Sequence, residues 1–205
     1  MLTTMTPAPP ARHLRAWPQR GQFDAGSVVT MGVFDGFHRG HQALVERARA
    51  RARVLRLPSV LLTFDPHPLV VTCPDRAPRQ LLTVDERVER ALGLGIDHVL
   101  VLPFDKAMAA TPAEEFVRGG LVERLRVRHV VVGENFRFGR CGAGDPDYLA
   151  EAGQWWEFDV DAVPLVEHEG QVCSSTAVRR LLADGDTETA RRLLGRSAGR
   201  VLTTR

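Results

Sequence analysis

Short apolar runs alternating with segments of helical periodicity constrain this chain more than any other property of its sequence. Residues 27–33 form a β-branched run that reaches Gly32, and residues 58–64 (P-S-V-L-L-T-F), 98–102 (H-V-L-V-L) and 129–132 (H-V-V-V) repeat the pattern. Between the first two runs, Leu44, Ala48, Ala52 and Leu55 recur at helical spacing, so the spacing predicts a helix over 39–54. Thr83 and Glu86 have the form of a capping box, with Val88, Ala91 and Leu92 behind them and Gly95 to close the helix. Thr111-Pro112-Ala113-Glu114 predicts a second capping box, with Pro at the first helical position, ahead of Val117, Leu121 and Leu125. A fifth strand is expected within 156–166. Apolar strands separated by helices read as βαβ units, which predicts an α/β fold with a doubly wound, parallel, five-stranded sheet covered on both faces.

The end of the chain changes character. Helices are expected over 176–183 and 187–194, with a turn at Asp184-Gly185-Asp186, giving a C-terminal helical segment. Residues 1–20 read as a Pro/Arg-rich lead-in, 21–196 as the domain and 197–205 as a tail. The Gly- and Arg-rich segment 137–146 is the candidate for a mobile loop.

Composition removes several function classes. Twenty-seven basic against 25 acidic residues leave a formal charge of +2, too balanced to point to nucleic acid or a membrane as partner. The first 20 residues lack the apolar stretch of a signal peptide, and no uncharged apolar run approaches the roughly 18 residues needed to span a bilayer. Three dispersed cysteines, Cys73, Cys141 and Cys173, give neither a disulfide framework nor a zinc module. These features together suit a cytoplasmic protein; oligomeric state is left open.

The segment Gly32-Val33-Phe34-Asp35-Gly36-Phe37-His38-Arg39-Gly40-His41 falls between an expected strand and an expected helix, where open α/β sheets bind ligands. Gly36 and Gly40 permit close backbone approach, and a helix start offers unpaired N–H groups and a positive dipole end to an anion. His38 and His41 are three residues apart, so in a first helical turn both imidazoles would share a face. Alone, H-x-x-H also describes surface or capping histidines, or half of a metal site. No cysteine or carboxylate at ligand spacing completes a zinc site here.

A second candidate anion site begins at Ser174-Ser175-Thr176, with Arg179 in the following turn. Hydroxyls at a helix start are capping residues first of all, but an arginine beside them adds a delocalised charge for a polyphosphate. Two further segments follow strands: Thr63-Phe64-Asp65-Pro66-His67-Pro68, and Gly133-Glu134-Asn135-Phe136-Arg137-Phe138-Gly139. Phe64, Phe136 and Phe138 are each readable as ordinary core aromatics, so Asp65 and Asn135 rank above them as site residues.

G-x-F-D-G-x-H-x-G-H resembles the signature of the nucleotidylyltransferase superfamily in the form used by FAD synthetases, and S-S-T-x-x-R resembles that family's second signature. The resemblance extends through R-Q-L-L-T at 79–83, D-H-V-L-V-L-P-F-D at 97–105 and L-L-G-R at 193–196. It implies a Rossmann-like nucleotidylyltransferase fold and an Mg2+-dependent transfer of the adenylyl group of ATP to FMN, giving FAD. It also implies ATP binding by Gly32, Phe34, Asp35, Gly36, His38, Gly40, His41, Ser174, Ser175, Thr176 and Arg179. Flavin contacts are implied for Phe64, Asp65, Pro66, Asn135 and Phe136, and catalytic roles for His38, His41, Asn135 and Arg179. Magnesium is expected to bridge ATP phosphates and water, with no protein metal ligands. The bacterial family continues after L-G-R into a riboflavin kinase module that the resemblance does not reach here, and Cys141 stands where a basic residue is expected.

A nucleotidyl transfer needs alignment and charge stabilisation rather than a covalent intermediate, so the absence of a nucleophilic triad fits. The competing readings are a nucleotidyltransferase with another phosphorylated acceptor or a flavin analogue, and a non-catalytic flavin or nucleotide binder. A plain interaction module gives no reason for two anion sites at helix starts.

Overall fold

The computed structural model describes residues 12–195. The outer parts of the expected lead-in, with Pro7, Pro9 and Pro10, and the 197–205 tail lie outside the described residues, as does Arg196. The elements in chain order are β1 (Arg12–Leu14), β2 (Ser27–Met31), α1 (Arg39–Leu55), β3 (Ser59–Asp65), α2 (Pro68–Thr72), α3 (Val84–Gly93), β4 (His98–Pro103) and α4 (Lys106–Ala110). They continue as α5 (Ala113–Glu115), β5 (Val127–Gly133), α6 (Pro146–Trp156), β6 (Asp159–Val163), β7 (Glu167–His168), β8 (Gln171–Val172), α7 (Ser175–Ala183) and α8 (Thr187–Leu194).

The central sheet has six strands in the order β1-β4-β3-β2-β5-β6, with every neighbouring pair parallel. The five expected strands are all present. The sixth, β1, corrects the expected count and takes residues 12–14 out of the lead-in, pairing Arg12 with His98 and Leu14 with Leu100. Successive strands run outward from β2 through β3 to β4 on one side and from β5 to β6 on the other. The crossover point therefore lies between β2 and β5, where the strand ends leave a crevice.

Burial explains the layers. Strand β2 is buried at all five positions, as a strand covered on both faces must be. One face carries Val29, Met31, Leu62, Leu100 and Val130 against Phe116, Leu121 and Leu149. The other carries Val28, Leu61, Val99 and Val131 against the inner stripe of α1 (Leu44, Val45, Ala48, Ala52) and against Val88 and Ala91 of α3. A third cluster joins α7 and α8 through Val178, Leu181, Leu193 and Leu194, with Leu81 packed against it.

Local signals end and begin these helices as the sequence suggests. The Thr83 side chain accepts from Glu86 N and the Glu86 carboxylate accepts from Thr83 N, the reciprocal capping box. Ser174, Asp145 and Asp186 cap α7, α6 and α8. The Thr111–Glu114 box is not formed. Thr111 instead follows α4 and donates its hydroxyl to Ala107 O at 3.0 Å, while Pro112 precedes α5 without any side-chain cap. Beyond α5, Phe116–Val122 winds as a π-helix. Segment 137–146 is tied by backbone bonds between Phe138 and Gly144 at 2.9 and 3.0 Å and by Arg140 N to Thr111 O at 2.8 Å.

Candidate active site

The crevice at the crossover point holds a cavity of about 570 Å3. Its lining comes from the ends of several strands: Gly32 and Val33 after β2, Phe64 on β3, Phe104 after β4, Asn135 after β5 and Pro164 after β6. The two candidate anion segments meet here, because His38, Gly40 and His41 line the same cavity as Cys173 and Ser174.

His38 is the N-cap of α1 and His41 sits in its first turn, as the three-residue spacing requires. Their rings stack, with centroids 3.7 Å apart and planes 25° from parallel. His38 is only 7% exposed, and the Nδ1 atom of each ring is buried with no hydrogen-bond partner. Burial, followed by the nearby Arg179 charge, lowers the His38 pKa to about 4. Burial, followed by His38, holds His41 well below the ordinary imidazole value. At neutral pH the pair is therefore uncharged, with both Nδ1 atoms lacking a hydrogen-bond partner.

Two glycines make this loop possible. Gly36 has φ +86°, and a Cβ there would stand 2.8 Å from Leu81 Cδ1. A Cβ on Gly40 would meet His38 Nδ1 at 3.1 Å and Cys173 O at 3.2 Å, so the absence of a side chain lets the two helix starts approach.

Asp35, in the same loop, is held from several sides. Its carboxylate is 3% exposed and fully engaged, accepting from Leu81 N at 2.8 Å, Leu82 N at 3.0 Å and Arg179 Nη2 at 2.5 Å. Its carbonyl accepts from Ser175 Oγ at 2.6 Å. Arg179 also donates from Nε to Arg79 O at 2.8 Å. Asp35, Ser175 and Arg179 thus lock the first loop, the 79–82 segment and α7 together, and none of the three lines the cavity.

The remaining expected residues divide between wall and support. Phe64, Asn135 and Phe136 line the cavity; Asp65, Pro66, Thr176 and Gly36 do not. The Phe34 ring, expected at the nucleotide, is fully buried and packs on Phe37 at 5.5 Å and His41 at 5.0 Å, so it backs the histidine from inside. Asp65 ends β3, its carbonyl accepting from Phe104 N at 2.9 Å.

Another part of the wall is aromatic. Phe64 meets Phe104 edge-on at 5.4 Å, and Phe136 stacks on Phe138 at 5.8 Å with planes 15° apart. Phe138 leans in turn on Phe116 and Tyr148. Such a wall accepts a flat apolar ring, while the histidine end accepts anions. Exposed Cys141 and Arg137, the latter paired with Asp145 at 2.7 Å, complete the rim from the 137–142 segment.

Two wall residues and one nearby histidine were not named as site residues from sequence. Phe104, just after β4, and Met108, in α4, line the cavity. His67 is 9% exposed, its Nδ1 accepts from Leu69 N at 3.1 Å, and it lies in the fields of Arg179, Asp35 and Arg87. His67 stands between Pro66 and Pro68 and does not itself line the cavity. Among the described residues no group of three His, Cys, Asp or Glu side chains could hold a metal ion.

The model of the family described as FAD synthetase matches residues 21–177. A bifunctional riboflavin kinase/FMN adenylyltransferase of Pseudomonas fluorescens is 44% identical over 180 residues, covering 86% of this chain and 58% of that protein. Its Escherichia coli K12 counterpart is 39% identical, covering 83% of this chain and 54% of the relative. The chain thus spans little more than half the length of these two relatives. A putative bifunctional riboflavin kinase/FMN adenylyltransferase of Geobacillus thermodenitrificans is 40% identical, covering 83% of this chain and 90% of that one. A crystal structure titled as a macrolide-efflux protein from Streptococcus pneumoniae superposes with a TM-score of 0.77 at 27% identity, covering 92% of this chain and 62% of that one. No helix among the described residues is long and apolar enough to cross a membrane.

Proposed function

The chain belongs to the FAD synthetase family, and from that premise we propose that it makes FAD and pyrophosphate from FMN and ATP. The observation that carries this reading is one cavity lined both by a stacked, uncharged histidine pair and by an aromatic wall. An anion-seeking end and a ring-seeking end in one crevice suit a reaction between a triphosphate and a flavin phosphate.

The FMN phosphate attacks the α-phosphorus of ATP in line, forming the new P–O bond as the bond to pyrophosphate breaks. A phosphate monoester has a second pKa of about 6, so the nucleophile is already anionic at neutral pH and no general base is needed. His38 and His41 face the developing charge. An arriving polyanion raises imidazole pKa values, so both rings become better donors once ATP is bound. Gly32, Gly40 and the Ser174 helix start hold the triphosphate, while Phe64, Asn135 and Phe136 hold the flavin side.

Asp35 and Arg179 act as the brace of this arrangement, and the exposed hydroxyl of Thr176 is the remaining α7 contact for departing pyrophosphate. Magnesium arrives as part of the MgATP substrate, held by phosphates and water rather than by a protein cage, which suits Mg2+. The catalytic unit runs from β1 to the end of α8, and a cytoplasmic location accords with the same reading.

The test is to incubate the pure protein with FMN, ATP and magnesium, with riboflavin replacing FMN in a parallel tube, and to identify products by chromatography. FAD from FMN and no flavin product from riboflavin is the expected result. No FAD from FMN overturns the reading.

A further inference from the structure

Arg87 lies on the inner face of α3 with 1% of its surface exposed, and it is among the largest fully buried side chains of the described residues. Its Nη1 donates to Val33 O at 2.9 Å, Phe64 O at 3.1 Å and Thr63 Oγ1 at 3.1 Å. The Thr63 hydroxyl in turn donates to Val33 O at 2.9 Å. All three acceptors are neutral. One nitrogen thus joins the carbonyl at the start of the His38 loop, just after β2, to the carbonyl of Phe64 on the neighbouring strand β3. Val33 and Phe64 both line the cavity.

The reverse connection is made by Asp35, which reaches from the same loop to the backbone of residues 81 and 82 just ahead of α3. Loop and helix are therefore clamped twice, once from each side. Burying a guanidinium is costly even with the Asp35 and Asp65 carboxylates acting on it, and an apolar side chain of similar length would fill the same space. What the arginine adds is a fixed separation between two backbone segments that a methionine could not hold.

We propose that Arg87 is a positioning residue that sets the distance between the nucleotide side and the acceptor side of the cavity. The proposal rests on the functional reading above. In-line transfer needs reacting atoms about 3–3.5 Å apart, and a misplacement near 1 Å can cost roughly a hundredfold in rate. Each substrate touches one wall, so loss of the clamp should spare the binding of either substrate alone and slow their reaction.

The experiment compares the wild type with Arg87→Met, Arg87→Lys and Thr63→Val. It measures kcat per folded molecule, dissociation constants for ATP alone and FMN alone, and amide exchange at residues 33–36 and 64–66. Arg87→Met should lower kcat about thirtyfold or more while each dissociation constant stays within about threefold. Arg87→Lys should recover part of the loss, and Thr63→Val should lower kcat by about threefold to tenfold. Exchange should rise together in both segments of the methionine variant. Unchanged kcat per folded molecule, or a loss that appears wholly in one substrate's affinity, overturns the proposal. Should Arg87→Met fail to fold, the lysine and valine variants decide by the same criteria. A wild type that makes no FAD defeats the functional reading instead; exchange that rises in one segment only would then refute the clamp separately.

Discussion

The carboxylate of Asp35 closes on the guanidinium of Arg179 at 2.5 Å across 144 residues of sequence, joining α7 to the loop that carries His38. A pair this close, with the carboxylate buried and the arginine about one fifth exposed, is a brace whose removal leaves charge without a partner.

Asp35→Asn should destabilise the protein by about 2–3 kcal/mol, somewhat less than the 3–5 kcal/mol typical of a fully buried broken pair, because Arg179 retains some solvent. Urea denaturation measures it. Equal stability would mean that the 81–82 amides alone hold the loop.

His41→Ala removes one of the two stacked imidazoles. Loss of one donor to developing charge costs roughly 10²–10³ in kcat. Steady-state FAD formation checks this, alongside a circular dichroism spectrum that should match the parent.

Stability should fall in acid through the histidine pair. Burial lowers the folded pKa of His38 from 6.5 to about 4, so between these values the unfolded chain binds a proton that the folded chain does not. Unfolding is therefore favoured as pH drops below 6.5, by up to an amount on the order of 3 kcal/mol when pH reaches the folded value. Urea midpoints at pH 7.5 and pH 5 should separate by more in the wild type than in His38→Gln.

Nucleotide binding should take up protons, since the same two neutral rings gain basicity beside phosphate. Calorimetric titration of ATP at pH 6.5 in buffers of different ionisation enthalpy reads the number directly. A slope of zero would place the phosphates away from the imidazoles.

Gly40→Ala places a methyl group 3.1 Å from His38 Nδ1 and 3.2 Å from Cys173 O. The ring or the 173–175 segment must give by a few tenths of an ångström, and kcat should fall about tenfold with little change in urea midpoint.

Much of this architecture was readable from residues alone, and for physical reasons. Strands covered on both faces leave unbroken apolar runs, and Thr83–Glu86 names its helix start because both partners of the box are local. β1 escaped because three residues, Arg12-His13-Leu14, carry no periodicity and become a strand only through the free edge of β4. Thr111 misled because a hydroxyl suited to begin one helix serves equally to end another. Within the motifs, letters located the crevice but not the division of labour: whether Asp35 meets a ligand or Arg179 depends on α7, more than a hundred residues away. Arg87 could not be foreseen, since an arginine on an amphipathic helix reads as solvent-facing until its carbonyl partners are in place.

The first turn of α1 does more than present two imidazoles. Arg39 Nε donates to Arg192 O at 2.7 Å, and Gln42 Nε2 donates to Leu194 O at 2.7 Å and to Phe37 O at 2.8 Å. The final carbonyls of α8, which any helix leaves without intrahelical donors, are thereby taken up by side chains that flank His38 and His41. The C-terminal hairpin works as a splint for the histidine turn, tying the position of α8 to that of the first turn of α1.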